Sequence, residues 1–207
     1  NNIVFCNGYA NSNSEGGGAV FSRSPLALNN CIFENNSVYG DKWGVALYCP
    51  YDILLDNCTF KNNYRRYDNA VSSAVNARVI VVKNSKFFDN GCTSIGAGSN
   101  LNVSNSVFMN NKDVSIYSIQ AKDTDIKNCT FMNNEAFANT GASSAIQISA
   151  RLDTVQNVKL EDCKFINNSG SGSAVCLGRF NGFLNNCEFI NNSGYSGGGL
   201  ECSFSNL

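Results

Sequence analysis

Apolar and polar positions along this chain recur in a fixed frame. A phenylalanine opens the motif Phe-x-(Asn/Asp)-Asn seven times, at Phe33, Phe60, Phe87, Phe108, Phe131, Phe165 and Phe189. Five residues before each stands an aliphatic side chain: Leu28, Leu55, Val82, Val103, Ile126, Leu160 and Leu184. Seven before, Leu26, Ile53, Ile80, Leu101 and Val158 repeat the choice, and Thr124 and Gly182 interrupt it. Three before is Asn30, Asn57, Asn84, Asn105, Asn128, Asp162 or Asn186, and two before is always Cys or Ser. Asn2 and Phe5 keep part of this phasing as a truncated eighth copy. From Phe5 to Phe189 the phenylalanines are spaced by 28, 27, 27, 21, 23, 34 and 24 residues, which is the range of a solenoid.

Each unit holds short stretches that alternate with a period of two, such as Leu26-Ala27-Leu28 and Cys31-Ile32-Phe33, bounded by Asn and Gly. No stretch keeps a helical apolar stripe for ten residues, which disfavours helical repeats and leucine-rich horseshoes. A further alternating segment lies upstream, as Gly17-Gly18-Ala19-Val20, Ser72-Ser73-Ala74-Val75, Ser143-Ser144-Ala145-Ile146 and Gly172-Ser173-Ala174-Val175. The prediction is therefore an all-β solenoid with three strands per coil and about seven to eight coils. Parallel stacking at about 4.8 Å per coil makes it a rod on the order of 34 Å long. Between Leu28 and Cys31 the inward parity switches across Asn29-Asn30, and Asn tolerates the left-handed backbone such a corner needs. Asparagines at equivalent corners should then pair amide to amide, and the phenylalanines should form a buried column.

Length and composition narrow the picture further. The periodic element runs through all 207 residues, so residues 1–207 read as one domain. Because the chain opens on Asn1-Asn2-Ile3 and closes within a repeat at Ser205-Asn206-Leu207, it reads as a segment of a longer protein. A net charge of −1 gives no reason to expect nucleic acid or an anionic membrane as partner. There is no histidine, which removes the commonest general base and metal ligand. No apolar run is long enough for a transmembrane helix.

Of the ten cysteines, Cys31, Cys58, Cys129, Cys163 and Cys187 share the column where Ser85 and Ser106 also stand. A position that accepts Ser wants a small buried side chain, and free Cys behaves as one. Bridges such as Cys31–Cys58 would be strained, because stacked Cβ vectors point the same way. Cys176 and Cys202 read as one outward column and could pair. With no C-x-x-C and no His, neither a metal nor another cofactor is expected.

Six N-x-(Ser/Thr) sequons, at Asn35, Asn57, Asn102, Asn128, Asn167 and Asn191, arise mostly from the repeat itself. The candidate ligand-binding cluster is Tyr64-Arg65-Arg66-Tyr67, where two guanidinium groups lie between two aromatic rings and can stack on a sugar or pair with a carboxylate. In the longest coil, either Glu135 to Gly141 or Ser149 to Asn157 should bulge as a loop, where binding residues concentrate.

The tandem motifs Phe33-Glu34-Asn35-Asn36 and Phe60-Lys61-Asn62-Asn63, together with Gly17-Gly18-Ala19-Val20, resemble the repeats of the chlamydial polymorphic outer membrane proteins and of adhesin-like surface proteins of methanogenic archaea. The resemblance covers almost the whole chain. It implies a right-handed parallel β-helix, an extracellular, cell-surface location and a non-enzymatic role in adhesion to a receptor or glycan on a host or neighbouring cell. Open terminal coils also expose backbone donors and acceptors, a route to end-to-end self-association. The alternative is a polysaccharide-active enzyme, a lyase, hydrolase or epimerase, which would need paired carboxylates across a groove. The acids here are scattered: Asp52 and Asp56, Asp123 and Asp125, Glu161 and Asp162.

Overall fold

The computed structural model describes residues 1–11, 16–39, 43–66, 72–118, 122–136, 143–150 and 155–203. Every strand pair in it is parallel and joins successive coils, which is the arrangement of a parallel β-helix. Eight three-residue strands, from Val4–Cys6 to Glu188–Ile190, form the phenylalanine sheet. A 12-stranded sheet carries the aliphatic segments, and a short third sheet joins Tyr9–Ala10, Ser37–Val38 and Tyr64–Arg65.

The two upstream segments expected as separate strands both lie in the 12-stranded sheet. In three coils they run together as Gly44–Asp56, Ser73–Lys83 and Thr93–Ser104, with a register shift between Ala77 and Val79. A bulge rather than a loop therefore turns the chain there.

Corners bound the phenylalanine strands on both sides. Asn30 and Asn35, Asn57 and Asn62, and their equivalents through Asn186 and Asn191 all adopt positive φ. Asp89 and Asp162 take the place of Asn in two of these corners. Asn and Asp accept this backbone more readily than other L-residues, which is why the motif repeats them. On the surface the corner amides pair along the rod: Asn57 donates to Asn30 (2.6 Å), Asn128 to Asn105 (2.9 Å) and Asn186 to Asp162 (2.8 Å).

Two polar and aromatic columns run through the interior beside the aliphatic core. Phe5, Phe33, Phe60, Phe87, Phe108, Phe131, Phe165 and Phe189 stack face to face with centroids 4.5–5.1 Å apart. Beside them runs a buried asparagine ladder of Asn36, Asn63, Asn90, Asn111, Asn134 and Asn168. Each amide nitrogen donates to the next rung's oxygen and to a phenylalanine carbonyl: Asn63 reaches Asn90 Oδ1 and Phe33 O, both at 3.0 Å. Each Oδ1 also accepts the preceding rung's backbone N–H, so the buried amides are fully paired. At the first rung Gly8 replaces Asn, and its N–H donates to Asn36 Oδ1 (2.9 Å). A Cβ there would sit 2.2 Å from Gly18 O.

All ten cysteines are free thiols. Cys58 and Cys163 donate back to carbonyls two residues upstream, as the Ser85 hydroxyl does at 2.7 Å, which explains the Cys-or-Ser choice at this position. The shared column expected for Cys176 and Cys202 is corrected by one residue. Val175 pairs with Leu200, so Cys176 stands over Glu201 and Cys202 stands under Leu177. Of the loop expectations in the long coil, 137–142 and 151–154 lie outside the described residues. Glu135 bridges Ser169 instead, and Gln156 and Asn157 belong to strand Gln156–Glu161.

Candidate functional site: an aromatic and arginine patch

Strand alternation decides which members of Tyr64-Arg65-Arg66-Tyr67 reach the surface. In the short sheet, the position after Tyr64 stacks under Ala10 and Val38 and points inward. Arg65 occupies it. Its side chain is 6% exposed, and Nη2 lies 3.3 Å from Asp113 Oδ2. Asp113 in turn accepts the Val114 N–H at 2.8 Å. Burial pushes the Asp113 carboxyl above its ordinary range, against the opposing pull of that N–H and of Arg65. Burial likewise raises the adjacent Cys92 thiol, with the Asp113 charge adding to the effect. Arg65 is thus part of the interior. Tyr67 lies outside the described residues.

Tyr64 and Arg66 point outward and meet partners from earlier coils. Tyr9, Ser37 and Tyr64 are successive rungs of one outward column. Ser37 is small and buried, which leaves a slot between the two tyrosines. The Arg66 guanidinium enters it, 4.5 Å from the Tyr9 ring centroid and 5.8 Å from that of Tyr64, with Nη2 3.4 Å from the Tyr64 hydroxyl. Two residues further along the wall stands Tyr39, whose N–H donates to Ala10 O while the Arg66 N–H donates to Val38 O. Tyr9, Tyr39 and Tyr64 are each 40–47% exposed. The wall therefore presents one cation between two aromatic rings, with the exposed Tyr39 on the same wall, able to stack on a pyranose face and to bind an acceptor oxygen.

Tyr9 and Tyr39 were not singled out by sequence, although their offsets carried a signal. Tyr9, Ser37 and Tyr64 each follow a ladder phenylalanine by four residues, and Tyr39 and Arg66 follow one by six.

Many of the acids elsewhere on the described surface are held in ion pairs, most of them between coils. Glu34 pairs with Lys61 (2.8 Å), Asp52 with Arg78 (2.7 Å), and Glu188 with Lys164 (3.0 Å). Glu161 lies between Lys127 (3.3 Å) and Lys159 (2.8 Å), and Lys159's hydrogen bond holds its carboxyl below the usual range. All six sequon asparagines are exposed, and Asn57 and Asn128 donate their amides to neighbouring corners. Among the described residues, no group of three or more Cys, Asp or Glu converges as metal ligands, and no helix is long and apolar enough to cross a membrane.

The model of the right-handed β-helix region matches residues 1–98 and 93–206. The chain belongs to this right-handed β-helix family. The match spans nearly every coil, in keeping with the unbroken phenylalanine and asparagine columns. No curated protein and no solved structure matches the chain.

Proposed function

We propose that this β-helix is a non-catalytic, extracellular surface rod of the adhesin type, which binds a receptor or glycan on a host or neighbouring cell through Tyr9, Tyr39, Tyr64 and Arg66. The observation that carries this reading is the slot above Ser37, where a guanidinium lies over two exposed tyrosine rings on a rigid wall. Rigid aromatic and Arg side chains are the types that dominate binding energy at interfaces. The structural use of the remaining repeat residues also supports a scaffold: phenylalanines, asparagines and thiols are occupied in the stack, and many surface acids are tied to Lys or Arg. Resemblance to bacterial and archaeal surface repeats supports the extracellular part of this reading.

The competing reading, a polysaccharide-active enzyme, draws on Asp123 and Asp125. They lie two residues apart on strand Asp123–Lys127 rather than facing each other across a groove, the arrangement that glycosidic hydrolysis uses. Glycan-array and cell-binding assays on the purified chain, with a reducing-end and unsaturated-product assay run in parallel, separate the two. Binding without turnover, lost in a Tyr64→Ala/Arg66→Ala double variant, is the expected result. Turnover above blank would overturn the non-catalytic reading, and unchanged binding by the double variant would remove the patch.

A further inference from the structure

The outward column that starts with Tyr9, Ser37 and Tyr64 runs on through Gly91, Lys112 and Glu135. At each of these rungs the N–H donates to the carbonyl just before the equivalent residue of the preceding coil. Large and small side chains alternate from Tyr9 to Lys112, so Ser37 and Gly91 leave two gaps, centred two coils or about 9.6 Å apart. The Arg66 guanidinium fills the first. The second stands open among the described residues. Beyond its chain neighbours, a Cβ on Gly91 would meet only Tyr64, at 3.2 Å from Cβ and 3.8 Å from Cα. The walls of this gap are the Tyr64 face turned away from Arg66 and the side chain of Lys112, which leans off toward Glu135.

The two gaps differ in charge. In the first, tyrosine rings cover the faces of the guanidinium and leave its N–H edge turned outward, with one donor on the Tyr64 hydroxyl. Among the described residues no carboxylate pairs with Arg66, and the acids close to it in the fold are engaged elsewhere: Glu34 with Lys61 and Asp113 with Arg65. A guanidinium held in this way is preorganised to take a carboxylate in its own plane. Around the second gap the charges are mixed, with Asp89 at the corner two residues before Gly91 and the Lys112–Glu135 pair on the far side. An uncharged ring that stacks on Tyr64 suits it. A pyranose would face a ring and an ammonium there, neither of which accepts its hydroxyl protons, whereas a proline ring brings no donor. The occupant therefore carries an acid and an apolar ring about 9.6 Å apart along the rod. A polyproline II segment repeats every three residues, over about 9.3 Å, which matches that spacing.

Resting on the adhesin reading of this patch, we propose that its partner is a protein, recognised through an exposed polyproline II segment with an acidic residue and a proline three positions apart. The carboxylate pairs with the edge of Arg66, and the proline ring enters the gap over Gly91 against Tyr64. Aromatic grooves suit such segments because they are extended before binding and lose little entropy.

Titration of the isotope-labelled whole chain with end-capped nonapeptides, followed by nuclear magnetic resonance, tests this. The reference peptide is a proline host with a central Glu; others carry central Gln, central Lys, or central Glu with Ala at both third neighbours. The Glu peptide should bind and shift the Tyr64 and Gly91 amides, and each of the others should bind at least about tenfold more weakly. Arg66→Gln should abolish the preference for Glu over Gln. Gly91→Leu, at a backbone outside the left-handed region, should fill the gap and abolish the preference for Pro over Ala at the third neighbours. Circular dichroism checks that both variants are folded, and the peptide series stands without them. No binding of the Glu peptide, equal binding of the Gln or Ala peptides, or parent-like preference in Gly91→Leu overturns the proposal. Hexagalacturonate binding at the same amides in place of the peptide likewise overturns it in favour of an acidic glycan. In each of these cases the patch survives if Tyr64→Ala/Arg66→Ala loses cell binding; unchanged cell binding in that variant removes patch and peptide together.

Discussion

Replacing Asn90 by Ala removes one rung of the buried amide ladder, and the structure fixes what that rung holds. Asn90 Nδ2 donates to Phe60 O and Asn111 Oδ1, and its Oδ1 accepts from the backbone N–H and the amide of Asn63, all four at 3.0 Å. At about 0.5–1.5 kcal/mol net per bond, the loss is roughly 2–6 kcal/mol. The damage is unevenly spread. Asn63 Nδ2 keeps Phe33 O, and Asn111 Oδ1 keeps the Asn90 N–H, but the buried Asn63 N–H is left without an acceptor. That orphaned donor places the expected loss near the middle of the range, at about 4 kcal/mol. The control is Asn105→Gly at an exposed corner, where φ is 51° and the amide exchanges hydrogen bonds with Asn84 and Asn128 on the surface. Glycine accepts that backbone, so the cost there should stay below about 1 kcal/mol. Urea unfolding followed by circular dichroism gives both values, and amide hydrogen exchange reads the Asn63 N–H directly. A loss below about 1 kcal/mol for Asn90→Ala, or unchanged protection at Asn63, would refute the view that this ladder is a main support of the stack.

Other outcomes follow from the same geometry. Phe131→Ala opens a gap between rings whose centroids lie 4.8 and 5.1 Å away, and denaturant titration should register a loss of roughly 3–5 kcal/mol. Under native conditions iodoacetamide should label Cys6 and Cys202, which are exposed, and spare the buried Cys31, Cys92 and Cys163 until urea is added, as peptide mass spectrometry will show. The Cys163 thiol, pushed up to about 12 chiefly by its hydrogen bond with Cys129, should be among the slowest to react at neutral pH. Arg65→Ala leaves the Asp113 charge buried and should cost roughly 3–5 kcal/mol at neutral pH. The pH dependence has a definite sign. A carboxyl that titrates higher folded than unfolded holds its proton more tightly in the native state. Asp113 therefore makes stability fall as pH rises from its unfolded value, near 3.8, through its raised folded one. Removing Arg65, which lowers that pKa, should steepen the fall, and Asp113→Asn should abolish it; stability measured across pH 3 to 8 checks both.

Much of the fold was legible because the repeat fixes offsets, not just composition. Phe33 through Phe189 keep their distance from an aliphatic residue five positions earlier, and parallel stacking turns equal offsets into columns. The Cys-or-Ser alternation also announced a small buried side chain, since Ser85 could replace Cys58 only where size mattered. What stayed hidden depended on orientation. Asn35 and Asn36 look alike in sequence, yet one is an exposed left-handed corner and the other a buried ladder rung. Arg65 and Arg66 differ by one step of strand parity, which sends the first to Asp113 and the second over Tyr9; Ala10 and Val38, at Arg65's offset, held that information. Cys202 was placed one residue out because its coil lacks the Ala that elsewhere precedes the aliphatic residue.

The central claim is that equivalent residues of successive coils lie directly above one another. Nuclear Overhauser spectroscopy on a deuterated chain with protonated phenylalanine tests it most directly. With Phe60 and Phe108 each 4.9 Å from Phe87 between ring centroids, ring-to-ring cross-peaks should link Phe60 to Phe87 and Phe87 to Phe108, with none between Phe60 and Phe131. Missing neighbour peaks, or contacts that skip coils, would contradict the stack.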